Sequence, residues 1–206
     1  MKHDEWIAHI KTLGGERKYV EPAKGTVNPR VFIDRLAKKM PANVTVVADV
    51  GQNQIWTCTE YKFRKEGRLL TSGGMGTMGY SVPAAIGAKM ADNSRATVAI
   101  CGDGAFQMSF MELATAVQFG VDIKVVVMTN NRLGMVRELQ TNGYHDRQTA
   151  VFLDGSPDFI KLAEAYSIPA MRVYDDDTME KGIEMLAEHK GICLVEVVVD
   201  KDMPTL

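Results

Sequence analysis

The segment TVAICGDG at residues 97–104 decides the fold, because an apolar run of strand length ends in a glycine-flanked carboxylate, Asp103. A second strand-length run, VVVMT at residues 125–129, is followed directly by Asn130. If the two strands are parallel neighbours, both side chains leave the same carboxyl edge, where open α/β sheets bind their ligands. Carboxylate and amide oxygens suit Mg²⁺, which keeps water and phosphate oxygens as its other ligands. The spacing therefore predicts one metal-diphosphate site.

Strand-like and helix-like segments alternate from Val44 onwards. Strands are predicted near residues 44–48, 68–70, 97–101, 123–128, 170–173 and 192–199. Continuous Val and Ile runs between helices predict an α/β fold of three layers: a doubly wound, mostly parallel six-stranded sheet with helices on both faces. The segment from Ala105 to Phe119 is predicted to be one crossover helix with its N-terminus beside the phosphates. The loop at 141–156 is long and polar, which indicates mobility or function.

The first residues of the chain form a separate unit. Apolar residues lie at helical spacing at Trp6, Ile7, Ile10 and Leu13. A glycine pair beginning at Gly14 then interrupts the pattern, and a polar stretch follows. We predict an N-terminal helix and linker at residues 1–25 and one α/β domain at residues 26–206. Asn28, followed by proline, is predicted to cap the first helix of that domain.

Composition excludes several classes of protein. The 206 residues suit one sizeable core, and 24 basic against 26 acidic residues give no basic stripe for nucleic acid. The three cysteines are widely spaced, so neither a disulfide framework nor a zinc site is predicted. No apolar run reaches the length of about 18 residues that a membrane span needs, and the first 13 residues do not resemble a signal peptide. We expect a cytoplasmic protein with no membrane partner.

A second motif, SGGMGTMG at residues 72–79, is rich in glycines that permit close approach of a ligand to the backbone. A flexible loop would explain the glycines but not Met78. With the GDG motif, the chain resembles the cofactor-binding C-terminal domain of thiamine-diphosphate enzymes of the acetolactate synthase type, from about Val44 to Asp200. The segments that carry the resemblance are LTSGGMGTMGYSVPAAIGA, GDGAFQMSFMELATAV, NNRLGMVRELQ and GSPDFIKLAEAYSIP.

This resemblance implies a site for thiamine diphosphate and Mg²⁺. Asp103, the side chain of Asn130 and the backbone carbonyl of Arg132 would be the metal ligands. Asn53 stands where many relatives carry His, so its contact with phosphate is a departure from the family pattern. The residues assigned to cofactor binding besides the metal ligands, Gly76 and Met78 are Val50, Gly51, Gln52, Asn53, Gly102, Gly104, Ala105, Leu133, Gly134, Met135 and Val136.

The resemblance also assigns roles around the cofactor rings. Met78 would be the wedge that holds the two rings in a bent shape, and a soft, unbranched side chain suits that place. Gly76 would offer its carbonyl to the exocyclic amine, and Met135 would pack on the pyrimidine. Leu139 stands where relatives that favour 2-oxobutyrate carry Trp, which implies a wider acceptor pocket. The alternative for Met78 is simple core filling.

In the resembling enzymes a 2-oxo acid such as pyruvate loses carbon dioxide and its remainder adds to a second 2-oxo acid. A glutamate from a separate pyrimidine-binding domain activates the cofactor, and no such domain is recognisable in this sequence. We therefore expect a partial chain that is inactive alone, with the pyrimidine domain supplied by the full-length chain or a partner subunit, in a homo-oligomer. The alternatives are the small subunit of a split sulfopyruvate or phosphonopyruvate decarboxylase and a non-catalytic binding module.

Overall fold

The computed structural model describes residues 3–13 and 19–206. The glycine pair at Gly14 lies outside the described residues. The helices are α1 (Asp4–Leu13), α2 (Pro29–Lys39), α3 (Gln52–Glu60), α4 (Ser81–Ala91), α5 (Asp103–Gln107), α6 (Leu113–Gln118), α7 (Gly134–Gly143), α8 (Phe159–Ala165) and α9 (Asp176–Glu188). The strands are β1 (Thr45–Ala48), β2 (Arg68–Thr71), β3 (Thr97–Gly102), β4 (Lys124–Thr129), β5 (Ala170–Val173) and β6 (Cys193–Val198).

All six strands are parallel and form one sheet in the order β2-β1-β3-β4-β6-β5. The predicted fold class is confirmed. The chain moves outward from β1 to β2 on one side and continues through β3 and β4 on the other. This reversal places a topological switch point between β1 and β3, where a crevice opens at the carboxyl edge of the sheet.

Alternate residues of each strand enter two separate cores. On β3, Val98 and Ile100 join the cluster that packs against α2, α3 and α9. The intervening Ala99 and Cys101 join the cluster that packs against α4, α5, α6 and α8. Because both faces are covered, the central strands carry apolar residues at nearly every position, as the sequence pattern predicted.

The predicted single helix from Ala105 to Phe119 is wrong, because the chain breaks it in the middle. Helix α5 ends at Gln107, a 3₁₀ turn covers Phe110–Glu112, and α6 follows. Met108 and Ser109 at the break pack against the glycine loop, where a Cβ on Gly79 would lie 3.0 Å from the Cβ of Met108. The break in the helix thus lets this segment pack closely against the glycine loop.

Other local predictions have mixed outcomes. The side chain of Asn28 accepts from the backbone N–H groups of Arg30 and Val31 in the first turn of α2, which confirms that cap. Helix α7 continues to Gly143, so it takes up the start of the polar loop that was predicted at residues 141–156. The cysteines are free thiols. Among the residues that the structure describes, no helix is long and apolar enough to cross a membrane.

Two glycines in helices test the packing of these layers. A Cβ on Gly182 of α9 would lie 2.6 Å from Cγ2 of Val173 and 3.2 Å from Cγ1 of Val195, both in the sheet. Gly182→Ala is therefore expected to lower the free energy of unfolding by about 1–3 kcal/mol. Gly87 of α4 has no atom within 4 Å of such a Cβ, so Gly87→Ala should raise it by about 0.4–1 kcal/mol.

Urea denaturation followed by circular dichroism measures both changes. Equal stability of the Gly182→Ala variant and the wild-type chain would contradict the close approach of α9 to the sheet. A loss of stability in Gly87→Ala would contradict the open environment of that position.

Candidate functional site

A cleft opens at the carboxyl edge of the sheet, beside the switch point. The loops after β1, β3 and β4 form most of its wall, and the loop before α4 adds one side chain, Met78. Every residue that the sequence assigned to cofactor binding lines this cleft except Gly76. The full lining is Val50, Gly51, Gln52, Asn53, Trp56, Met78, Gly102, Asp103, Gly104, Ala105, Met128, Asn130, Arg132, Leu133, Gly134, Met135, Val136 and Val199.

Asp103 is the only acidic side chain among the described residues that line the cleft. It is buried, and its Oδ1 accepts from the backbone N–H of Gly104 at 2.8 Å. Its Oδ2 accepts from the N–H groups of Asn130 at 3.1 Å and Asn131 at 2.6 Å. These contacts fix the carboxylate between the end of β3 and the end of β4, as the motif spacing predicted.

Burial raises the pKa of Asp103 from its ordinary 3.8 to about 6, although backbone N–H donors act in the opposite direction. The hydrogen bonds that the carboxylate accepts from the described residues come from backbone N–H groups. Within residues 3–13 and 19–206, no three His, Cys, Asp or Glu side chains are grouped so that they could hold a metal ion. A cation at Asp103 would therefore take its other protein ligands from neutral oxygens.

This raised pKa predicts the pH dependence of stability in the cofactor-free chain. A carboxyl group that binds its proton more tightly in the folded chain adds stability at low pH, and loses it as the pH rises through the folded-state pKa. We expect the free energy of unfolding of the wild-type chain, relative to Asp103→Asn, to fall by about 3 kcal/mol at most between pH values of about 4 and about 7. Denaturant titrations of both proteins across this range measure it. A difference that is flat, or that grows with pH, would contradict the prediction.

Residues with neutral oxygen atoms that could bind a cation follow β4, the strand next to Asp103. The Oδ1 of Asn130 accepts from the N–H of Arg132 at 3.0 Å, and its Nδ2 donates to Oε1 of Gln52 at 3.2 Å. The side chain of Arg132 is engaged elsewhere, since it pairs with Asp154 at 2.7 Å and its guanidinium carbon lies 4.7 Å from the ring centre of Phe152. A role for Arg132 through its backbone carbonyl alone fits this geometry.

Asn53 connects the two strands at the switch point. Its Nδ2 donates to the carbonyls of Asp49 at 2.8 Å and Ile100 at 3.1 Å. The Oδ1 faces the glycines of the cleft instead, 2.7 Å from where a Cβ of Gly51 would lie and 3.4 Å from that of Gly102. In this orientation Asn53 presents an oxygen to the cleft, so donating to a phosphate would require its amide to turn over. Its assignment to cofactor binding stays a prediction.

Gln52 directly precedes Asn53, and its side chain contacts α7 and residues 203–205. Its Nε2 lies within hydrogen-bond distance of the Met203 carbonyl at 2.9 Å, the Thr205 hydroxyl at 3.1 Å and Oε2 of Glu138 at 3.3 Å. An amide nitrogen has two hydrogens, so these three acceptors already exceed its capacity. A hydrogen bond from Gln52 to a diphosphate therefore has to replace one of them.

Met78 both lines the cleft and packs against the core under α4. Its Cε would lie 3.4 Å from a Cβ on Gly104. Gly76 stands two residues earlier with a φ of +64°, in the surface part of the loop and outside the cleft lining. The structure thus places Met78, rather than Gly76, against the loops that follow β3. The roles of both residues stay predictions.

Three apolar residues of the lining escaped sequence analysis: Trp56, Met128 and Val199. Trp56 lies one helical turn after Gln52, so helical spacing could have revealed it. Its Nε1 donates to the carbonyl of Pro204 at 3.2 Å, which ties α3 to the last residues described. Of the two residues predicted to contact the substrate, Met135 lines the cleft, whereas Leu139 is 62% exposed on α7 and does not line it.

Comparison with known proteins identifies the family of the chain. Residues 49–197 match the family described as "Thiamine pyrophosphate enzyme, C-terminal TPP binding domain". The chain belongs to this family of thiamine-diphosphate enzymes, and the matched residues include the loops after β1, β3 and β4.

The relatives confirm the acetolactate synthase type. The acetolactate synthase large subunit of Lactococcus lactis is 38% identical over 199 residues, which cover 96% of this chain and 34% of the relative. The mitochondrial acetolactate synthase catalytic subunit of Saccharomyces cerevisiae is 36% identical, covering 100% and 31%. A probable acetolactate synthase large subunit of Methanocaldococcus jannaschii is 39% identical, covering 93% and 32%. The chain spans about a third of the length of these curated relatives.

Proposed function

We propose that this chain is the cofactor-binding catalytic part of an acetolactate synthase, which binds thiamine diphosphate through Mg²⁺. The observation that carries the proposal is the buried Asp103 carboxylate, which accepts from the backbone N–H of Asn130 at the carboxyl edge of the sheet. A diphosphate and a divalent cation are the ligand pair that such a carboxylate and amide, set among glycines, would recognise.

The residues present fit these groups. Asp103 is a buried carboxylate that, among the described residues, is hydrogen-bonded by backbone N–H groups, and a divalent cation would supply the opposite charge. The cleft is also shaped by glycines, since a Cβ on Gly104 would lie 2.8 Å from Leu133. Backbone at such positions gives a phosphate close access to N–H groups.

The cofactor, when bound, supplies the carbanion-stabilising chemistry that allows a 2-oxo acid to lose carbon dioxide. This chain would supply placement. Asp103, Asn130 and the carbonyl of Arg132 would hold Mg²⁺, and the loops after β1 and β3 would hold the diphosphate. Met78 would set the orientation of the rings, and the carbonyl of Gly76 would accept a hydrogen bond from the exocyclic amine. The apolar side chains of Met128, Leu133, Met135 and Val136, which line the cleft, would exclude water from the rings.

Substrates and partners follow from the same proposal. Pyruvate would be the donor 2-oxo acid, and Leu139 would face a second 2-oxo acid only in an assembly that covers α7. A pyrimidine-binding domain, from the rest of a longer chain or from another subunit, would complete the site, so the chain alone should be inactive. A homo-oligomer is the expected assembly. The cellular compartment stays a prediction, since relatives include mitochondrial proteins.

A calorimetric titration with thiamine diphosphate, with Mg²⁺ and again with a chelator, tests this proposal. Binding that requires the metal would support it. Absence of binding in both buffers, and also after the pyrimidine domain is added, would contradict it. With that domain present, acetolactate formed from pyruvate supports a synthase, release of an aldehyde supports a split decarboxylase, and binding without turnover supports a non-catalytic module.

A further inference from the structure

Asp49 is a buried carboxylate that no step described so far uses. It follows β1 directly and is 0% exposed. Its Oδ1 accepts from the N–H of Val50 at 2.8 Å and from that of Gly79 at 3.0 Å. Its Oδ2 accepts from the N–H of Ser81 at 2.7 Å. All of these contacts are to backbone groups, and two of them reach a different loop some thirty residues along the chain.

The start of helix α4 depends on this carboxylate. Tyr80 occupies the N-cap position with helical backbone angles, and its side chain makes no capping hydrogen bond. The first N–H groups of a helix have no partner within the helix, and they favour a negative charge. Gly79, with a φ of +83°, lets its own N–H and that of Ser81 converge on one anion. Asp49 supplies that anion from the neighbouring strand.

Because of these contacts, one side chain connects two walls of the cleft. Asp49 immediately precedes Val50 and Gly51, which line the wall assigned to the diphosphate. Its partner Gly79 immediately follows Met78, which lines the wall assigned to the cofactor rings. The separation of the two walls therefore depends on the hydrogen bonds of Asp49.

We propose that Asp49 is a positioning residue, which sets the Met78 loop against the diphosphate loops and so determines how the ring half of the cofactor is held. The inference rests on the proposed function. The proposal predicts different effects on the two halves of the cofactor. The diphosphate half is held by Asp103 and Asn53, neither of which hydrogen-bonds to the Met78 loop. Loss of Asp49 should then weaken recognition of the rings more than recognition of the diphosphate.

Asp49→Asn tests the proposal with almost no change in shape. Asparagine keeps one oxygen acceptor but turns an NH₂ group towards one of the three backbone N–H donors, so at least one contact is lost. We expect the Kd for thiamine diphosphate with Mg²⁺ to rise by about tenfold or more. The Kd for pyrophosphate with Mg²⁺, which shares only the diphosphate half, should change by no more than about twofold. Equal losses for the two ligands would overturn the proposal.

Hydrogen exchange in the cofactor-free chain shows whether Asp49→Asn releases the Met78 loop or destabilises the whole fold. In Asp49→Asn, NMR hydrogen exchange of the Gly79 and Ser81 amides should accelerate by about tenfold or more, while the amides of α9 keep the wild-type rate. Asp175→Asn is the matched control, because Asp175 caps α9 with the same backbone chemistry far from the cleft, and it should alter neither ligand's affinity. Unchanged exchange at Gly79 and Ser81 in Asp49→Asn would overturn the proposal.

Wild-type exchange keeps the proposal falsifiable if Asp49→Asn does not fold. The Gly79 and Ser81 amides should then be protected in the wild-type chain although Gly79 lies in a loop, and rapid exchange there would overturn the anchoring role directly. If the wild-type chain binds neither pyrophosphate nor thiamine diphosphate, even with the pyrimidine domain, the proposed function fails. The exchange rates still decide whether Asp49 fixes the loop.

Discussion

Asp103→Ala is expected to abolish the metal-dependent binding of thiamine diphosphate, raising its Kd by at least about a hundredfold. Among the described residues that line the cleft, Asp103 supplies the only negative charge, and a divalent cation bound through one carboxylate and neutral oxygens depends on it. Titration calorimetry with Mg²⁺, compared with the same titration in chelator, measures the metal-dependent part of the affinity.

The fold should survive this substitution. Removing the carboxylate leaves the N–H groups of Gly104, Asn130 and Asn131 without that acceptor, but it also removes a charge that is costly to bury. Asp154→Ala is the control, because Asp154 is an exposed residue that pairs with the side chain of Arg132, and its loss should leave the affinity nearly unchanged. An unchanged affinity in Asp103→Ala would contradict the assignment of this residue to the metal.

The sequence predicted the sheet and the place of the site for a physical reason. Strands buried on both faces must be apolar along their whole length, so their ends are sharp, and polar residues directly after them are conspicuous. Asp103 and Asn130 were found in this way, and β3 and β4 are indeed neighbours. Helix boundaries were less certain, because the break after Gln107 depends on packing against Gly79, which lies far away in the sequence.

What the sequence could not predict was how the polar side chains are engaged. Gln52 and Asn53 were both assigned to the cofactor, yet their amide nitrogens donate to protein groups, Gln52 to the Met203 carbonyl among others and Asn53 to strand ends. Asp49 was not singled out from the sequence, since no local pattern shows that its partners are Gly79 and Ser81. Such long-range hydrogen bonds are set by tertiary structure and leave no periodic signal.

Gly134→Ala is expected to disturb the site from helix α7, where Gly134 is the first residue and lines the cleft. A Cβ on Gly134 would lie 1.9 Å from Oε1 and 2.6 Å from Cδ of Gln52, and 3.0 Å from Nδ2 of Asn130. Gln52 is buried and its Nε2 is held by the Met203 carbonyl, so it cannot move aside freely. Either Gln52 or helix α7 must shift, and both movements disrupt the hydrogen bond between Gln52 and Asn130. We expect a loss of about 1–3 kcal/mol in the free energy of unfolding and a rise of about tenfold or more in the Kd for the cofactor with Mg²⁺.

Gly143→Ala, at the other end of α7, is the matched control, because no atom lies within 4 Å of its added Cβ. It should leave the affinity unchanged and the stability equal or slightly higher. A double-mutant cycle with Gln52→Ala isolates the cause, since removing the crowded side chain should restore most of the stability that Gly134→Ala loses. Additive losses in that cycle would show that the added methyl group acts through α7 itself. Coupling would show that Gly134 is glycine because the Gln52 side chain occupies the space of its missing Cβ.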